Sequence, residues 1–509
     1  MKIALFYLCI MPPGIEEMTK EELLSVVVEQ DEKINSLSFE LQNLKKAVFG
    51  VKSERFIADV DPAQSELDFG EVEEEKIEET GKETITYERE KASSKNKPSR
   101  QPIPAHLPRI EHIIEPEEDV TGLVKIGEEV TEELEYNPGR LYVNRYVRPK
   151  YVKPTGEGNK IITGKLPERP LPKCIAGPNL LAALIIAKFV DHLPLYRQSQ
   201  MFKRQGIELP DSTLGGWMNA GAKLLRPLYE VLKKIVLSAP YVQADETPIN
   251  VLESEKAGST HKGYHWVYQD PVKRLVLFDY RPSRGREGPR DILKNFKGHL
   301  QTDGYGVYEE YGKRSDITLM HCWAHARRKF KEAEESDRAR AHYVLEQIQK
   351  LYDCEREIKE MQLSGTEVVM IRKEKALSVI EGLKKWMIAA ITGVLPKSPM
   401  GKAIEYTLSR IDALTTYTSE SHLQIDNNLT ENAIRPVALG RKNYLFAGSH
   451  EAAQNAAIYY SLLATCKAND INPQTWLAET LQKIATHPIN RIGELLPGYS
   501  ASQVPDAKG

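Results

Sequence analysis

Between residues 23 and 48 apolar side chains return at heptad spacing. Val27, Ile34, Leu41 and Val48 form one row; Leu23, Leu37 and Leu44 form a second, which Gln30 interrupts. Two such rows on an otherwise polar helix predict a coiled coil of about four heptads, assigned to residues 19–58, and with it a homo-oligomer, the alternative being one amphipathic helix docking on its own chain. The pattern then stops. Residues 59–90 are dominated by Asp and Glu, and residues 91–101 turn basic and Ser/Pro-rich. Neither stretch has enough apolar surface to fold alone, so residues 59–100 read as a disordered linker. From 123 to 152, short β-branched and aromatic runs such as Leu141-Tyr142-Val143 and Tyr146-Val147 alternate with polar residues. They predict a small β-rich module spanning 101–170.

Residues 171–237 carry a helical pattern. The stretch 180–190 is strongly apolar, and Asp211-Ser212-Thr213 offers an N-cap for a second helix. Arg197, Lys203 and Arg204 precede that helix, giving a helix-turn-helix-like arrangement with cations placed for DNA. After Pro240 the period changes to that of strands: 241–244, 264–268 and 275–280, then a helix at 289–296, then strands 299–302 and 317–322. This order is that of a ribonuclease H-like mixed sheet, an α/β fold in which the first and fourth strands lie side by side. Residues 326–420, rich in Lys, Arg and Glu, read as a helical insertion. The catalytic core is therefore expected in two pieces, 238–325 and 421–465, followed by a C-terminal region, 466–509.

Asp245 and Asp303 each follow an apolar strand at matching positions. Taken singly, one could cap a turn and the other belong to an ordinary Asp-Gly turn. Together at adjacent strand ends they repel unless a cation lies between them, and hard divalent ions favour such oxygen ligands. Further on, Asp426-Asn427-Asn428 can cap a helix on which Glu431 and Arg435 stand four residues apart, as a functional acid or as a surface ion pair. Arg441-Lys442-Asn443-Tyr444-Leu445-Phe446 mixes cations with aromatics, as phosphate contact and base stacking require. His321 and His325 flank Cys322, which could suggest a zinc site, but only three potential ligands are present and on a helix the thiol points away from the imidazoles. His325, Arg327 and Arg328 are read instead as structural or DNA-contacting.

Bulk properties narrow the classes. The chain has 509 residues, 41% hydrophobic and 28% charged, with net charge −3. That is a globular composition of several domains, and it says little about a polyanionic partner because the basic residues are clustered. The five cysteines show no CxxC spacing, which argues against a disulfide framework and fits a reducing cytoplasm. The apolar run at 4–10 is short for a signal peptide and lacks a small-residue cleavage site, so Met11 and Met18 are alternative starts. No stretch reaches the roughly 18 apolar residues of a membrane span.

The blocks VQADETP, LQTDGYGVY, MHCWAHARRKF, DNNLTENAIRPVALGRKNYLFAGS and YYSLLATCKANDINPQTWL resemble, in order and spacing, the catalytic blocks of insertion sequence 66 family transposases. DHLPLYRQSQMFKRQGIELPDSTLGGWM is similar to the helical block that precedes them, and AVFGVKSERF to the family's N-terminal signature. The likeness covers residues 101 to 480 or so. It implies a DDE transposase whose catalytic and metal-binding acids are Asp245, Asp303 and Glu431. Two magnesium or manganese ions would serve cleavage at the transposon's terminal inverted repeats and joining of the 3′ hydroxyl to target DNA. Arg435, Arg441 and Lys442 would hold phosphates, and companion proteins of the same element are further partners it admits. Many relatives carry cysteine pairs in the module after PAHLPR, where this chain reads EPEEDVTGLVKIGEE and KYVKPTGEGNK. The module is therefore expected to hold together without zinc. An inactive or domesticated transposase-derived DNA-binding protein is the alternative reading.

Overall fold

A computed structural model describes residue 139 and residues 141–147, 150–151, 162–163, 167–172, 174–253 and 259–498. The coiled coil assigned to 19–58 and the linker at 59–100 lie outside the described residues. The chain divides into two compact units, residues 64–166 and the remainder. In the first, Lys150–Tyr151 and Ile162–Thr163 pair as a short antiparallel ladder. Residues 141–147, expected as strand, form none and are exposed, Val143 to 89%. Short β-branched runs without a partner strand bury too little to hold strand geometry.

The second unit opens with three helices: α1 (Pro178–Phe189), α2 (Leu195–Arg204) and α3 (Asp211–Leu237). α3 starts at Asp211 itself, after Pro210, so the acid sits in the first turn, where the helix dipole favours it, and not at the expected cap. Strands β1 (Tyr241–Val251), β2 (His261–Asp270) and β3 (Leu275–Arg281) follow as an antiparallel meander. Helix α4 (Glu287–Ile292) then leads to β4 (Gly298–Thr302) and β5 (Ile317–His321), and the sheet order is β3-β2-β1-β4-β5. β1 runs parallel to β4, and β4 to β5. The architecture is a mixed α/β one. Asp245 lies inside an eleven-residue β1, where 241–244 was expected, because antiparallel pairing with β2 carries the strand through the polar DET stretch to Val251.

After β5 the chain is helical: α5 (Trp323–Ala333), α6 (Arg338–Glu360), α7 (Thr366–Ile371) with a π-helical turn over Arg372–Ala376, α8 (Leu377–Ala390), α9 (Pro399–Leu408) and α10 (Ile411–Thr415). These helices share an apolar core of their own, which includes Trp323, Phe330, Ile348, Leu383 and Ile404 and reaches the sheet through Tyr241 and Met320. The chain returns in α11 (Asn428–Tyr444) and β6 (Phe446–Ala447), the latter pairing with the far end of β1. α12 (His450–Ala468) and α13 (Pro473–Lys483) complete the unit.

Helix α12 closes the edge of the sheet. Its Ser461 and Thr465 hydroxyls, one turn apart, accept from the Phe278 and Val276 amides of β3 at 2.8 and 3.0 Å. An edge strand's outward amides are thereby satisfied and cannot template pairing with another chain. No helix among the described residues is long and apolar enough to cross a membrane.

Candidate active site

β1 and β4 pair in register from Tyr241↔His299 to Gln243↔Gln301. Continued by two residues, that register sets Asp303 beside Asp245. β4 has ended by then, at Thr302, so Asp303 stands on a turn. Gly304, at φ +91°, is in the conformation that glycine tolerates best. The turn is held from several sides. Asp303 Oδ1 accepts from the Tyr305 amide at 2.8 Å, its carbonyl accepts from the Tyr406 hydroxyl at 2.6 Å, and the Gly304 carbonyl accepts from Arg410 at 3.3 Å. Two side chains of the helical insertion thus fix an acid of the sheet.

Glu431 arrives in the first turn of α11, and a polar network in the middle of the sheet fixes where that helix begins. Gln243 Nε2 donates to Gln301 Oε1 at 2.8 Å and to the Asp426 carbonyl at 2.9 Å, while its Oε1 accepts from Thr430 at 3.2 Å. Gln301 Nε2 donates to the Gln424 carbonyl at 2.9 Å, and the Trp323 amide to the Ile425 carbonyl at 3.1 Å. Asp426 accepts from the Tyr352 hydroxyl and from Asn428. These bonds join the sheet to the last residues before Glu431 without any intervening strand.

Electrostatics tie the acids together. Burial raises the Asp245 carboxyl well above the usual carboxylate range, and Asp303, Glu246 and Glu431 raise it further. Burial and then Asp303 push Glu246 up to about 7, against the pull of Arg284. Glu431 is raised by burial, with Arg328 opposing. Its carboxylate lies 3.6 Å from His325 Nε2 and 3.7 Å from Arg328. Burial lowers His325 to about 4, so its imidazole is neutral near pH 7 although Asp303 favours its charge.

Negative charge is thus in excess here, and buried oxygens of two carboxylates, Glu431 Oε1 and Glu246 Oε2, have no hydrogen-bond partner. Unpaired buried carboxylate oxygens cost free energy unless a cation takes them up. All-oxygen donors of this kind fit a hard divalent ion. Among the described residues, the group with one ligand atom per residue all within 4.8 Å of one another is a different one, His299, Glu420 and His422. The acids around Asp245 do not meet that spacing.

The other expected residues divide into two sets. Arg328 meets Glu431, and Arg435, half-buried one turn on, lowers the same acid more weakly. Arg327 is close enough to Tyr352 to act on its hydroxyl. Arg441 is half-buried and donates to Thr247 Oγ1 at 3.1 Å and the Pro248 carbonyl at 2.8 Å, so it fastens α11 to β1. Lys442 is exposed, as are Arg197, Lys203 and Arg204 on α2. There Arg197 stacks on Tyr196, and Lys203 lies 3.6 Å from Glu208.

His321 ends β5 and Cys322 precedes α5, so the expected helical i,i+4 relation of the two histidines does not exist. Sequence reasoning missed Glu246, because alternation sends it to the face opposite Asp245. It also missed Arg284, whose guanidinium binds Glu246 at 2.6 Å and stacks on Tyr305 at 4.1 Å.

Residues 173–455 match the family described as "Transposase IS66 family", and residues 461–497 its "IS66 C-terminal element". Residues 36–111 match "Transposase C of IS166 homeodomain". Three proteins of Sinorhizobium fredii (strain NBRC 101917 / NGR234) are similar along most of their length. Uncharacterized protein y4hP is 31% identical over 494 residues, 91% of this chain and 88% of the relative. Uncharacterized protein y4qI is 32% identical over 500, covering 93% and 90%. Uncharacterized protein y4jD is 30% identical over 511, covering 96% and 99%. Residues 119–152 match the "zinc-finger binding domain of transposase IS66". That finding overturns the expectation that no zinc is involved. The match rests on other positions of the module, since residues 119–152 contain neither cysteine nor histidine.

Proposed function

We propose, on the premise that this chain belongs to the transposase IS66 family, that it is a DDE transposase with a ribonuclease H-like core. Its catalytic acids are Asp245, Asp303 and Glu431. One observation carries the reading: the parallel register of β1 and β4 brings Asp303 beside Asp245, and a third acid from beyond the insertion lies within electrostatic reach of both. The strand order β3-β2-β1-β4-β5 supports the fold. So does the edge helix α12.

In this reading the three acids hold two hard divalent ions of the magnesium class. Such ions, when bound, activate water or a 3′ hydroxyl and offset charge on the attacking and leaving oxygens of a phosphodiester. The chain's own residues prepare the site. Tyr406 and Arg410 hold the Asp303 turn so that its carboxylate faces Asp245. Gln243, Gln301 and Thr430 set the start of α11 and hence the height of Glu431. Arg328 offsets the Glu431 charge, and neutral His325 is positioned to hydrogen-bond an oxygen between Asp303 and Glu431. Glu246, clamped by Arg284, stands behind Asp245 and sharpens the negative field that draws cations in.

DNA is the substrate, as terminal repeats and as target. The exposed cations of α2 and Lys442 are read as backbone contacts, which position a duplex without reading its sequence. Arg435 serves both Glu431 and phosphate, whereas Arg441 acts through α11. The coiled coil at 19–58 would pair two copies, and the reading places the protein with the DNA of the cytoplasm.

The test is a cleavage and strand-transfer assay on the element's own ends, with magnesium and with EDTA. Wild type cuts and joins only with the metal, and Asp303→Asn does neither. A variant that cuts as well as wild type overturns the assignment.

A further inference from the structure

We propose that His299, Glu420 and His422 form a second cation site, apart from the carboxylates, that takes a borderline divalent ion of the zinc class. It would clip the returning chain of the helical insertion to the amino end of β4.

The separations favour ligands over hydrogen bonds. His299 Nε2 lies 3.6 Å from one Glu420 oxygen and His422 Nδ1 3.5 Å from the other. Good hydrogen bonds between such groups run at about 2.7–3.2 Å. Two donors each about 2.0–2.1 Å from one tetrahedral ion stand roughly 3.3 Å apart, close to each imidazole–carboxylate separation, and one ligand atom from each of the three residues lies within 4.8 Å of the others. The opposite nitrogen of His422, Nε2, has no hydrogen-bond partner, so no bond through it fixes the tautomer and Nδ1, which faces Glu420, can be unprotonated. Two imidazoles and one carboxylate suit zinc, cobalt or nickel better than magnesium, and three protein ligands leave a position for water.

The surroundings are built to hold these groups. Arg372, buried and paired with both Glu355 oxygens at 2.8 and 2.7 Å, donates to the carbonyls of Tyr417 and Glu420 at 2.9 Å each. The backbone that presents Glu420 is therefore fixed from below by the π-helical turn. Tyr241 packs edge-on against the His422 ring, 6.0 Å between centroids, and pairs with His299 in the sheet. Burial lowers His299, which keeps its imidazole neutral, the form a metal needs. Asp270, at the end of β2, is close enough to interact with His422 and adds negative potential.

His299 precedes Asp303 by four residues of strand, roughly 13 Å at 3.3 Å per residue, so the two cation sites do not share ligands. The function we infer is a clasp. Glu420 and His422 stand just before the Gln424–Asp426 segment that positions Glu431. An ion here would fasten that segment to the sheet ahead of the catalytic helix.

The experiment uses full-length protein stripped with a chelator and titrated with Co²⁺, read by its visible d–d absorption, and with Zn²⁺, read by the melting temperature. Wild type should bind one more Co²⁺ than His299→Ala or His422→Ala, with a visible band absent from both and retained in Asp303→Asn. The affinity of that equivalent should fall roughly 100-fold or more. Zinc held elsewhere in the chain is common to all variants and cancels. Folding is controlled by circular dichroism and melting in EDTA. Should His299→Ala unfold, the more exposed His422→Ala and Glu420→Gln carry the comparison. Equal stoichiometry and spectra in wild type and the folded histidine variants would overturn the proposal, as would a wild type that takes up no cobalt at micromolar concentration.

Discussion

The two ends of the β1–β4 pair are built from different donors. At the carboxyl end stand Asp245 and Asp303, with Glu246 and Glu431 close by, all oxygen and with two buried oxygens unpartnered. At the amino end stand His299, Glu420 and His422, mostly nitrogen. Tyr241, Gln243 and Gln301 lie between and bond to the same returning segment, so both ends are organised by one stretch of chain, 420–431. Hard oxygen ligands suit ions that exchange and keep water, as a reacting centre needs. Imidazoles suit ions that stay. One end is therefore suited to turnover and the other to holding shape.

The largest effect expected is kinetic. Asp303→Asn should lower cleavage at least ~10²–10³-fold, the usual scale for removing a charge-stabilising group, while His299→Ala costs far less. Equal losses would abolish the distinction between the ends.

Next is Gly298→Ala. Gly298 has φ +118°, and a Cβ there would press into the Pro240 carbonyl oxygen. Urea unfolding should show a loss of about 3 kcal/mol, since neither backbone can give way. A loss under 1 kcal/mol would mean that the amino end is plastic.

Arg441→Met should cost roughly 1.5–3 kcal/mol, because two hydrogen bonds to a half-buried cation disappear. It should also slow cleavage without changing the salt dependence of DNA binding, which a phosphate contact would change.

The smallest effect is one of pH. Glu246 rises from 4.5 to about 7 on folding, so the folded chain binds more protons in that window. Its stabilising contribution is full below about pH 4.5 and lost as pH rises through 7. In EDTA, Glu246→Gln should gain on wild type across that range by on the order of 1–2 kcal/mol, less whatever Arg284 loses. A difference that stays flat with pH would show that Glu246 titrates normally.

The strands around Asp245 and Asp303 were legible because apolar runs bounded by acids have a period of two, although the true extent of β1 was not. A strand held by two neighbours runs through polar residues that pattern alone would assign to a turn. Glu431 was suggested mainly by family likeness, since the long helical insertion removes any local relation to the other acids. Glu246 was hidden by alternation, and the polar centre of the sheet was hidden because Gln243 and Gln301 are polar residues inside strands and carry no apolar signal. The histidine cluster has no motif. His299 lies over a hundred residues from Glu420 and His422, and only the return of the chain past Arg372, itself buried by a π-helical turn, brings them together. The exposed course of 141–147 shows the converse, a strand-like composition without a partner to pair with.

Helix α11 is fastened to β1 twice, by Thr430 on Gln243 near its start and by Arg441 on Thr247 and Pro248 near its end. Leu445, at φ +62°, then turns the chain so that β6 joins the same strand. The helix therefore works as a ruler. One residue added or removed between Glu431 and Arg441 would rotate the acid by about 100° relative to its far anchor. The exposed turn at 361–365 answers to no such phase. Length can drift there without reaching the chemistry, but not within the seventeen residues of this helix.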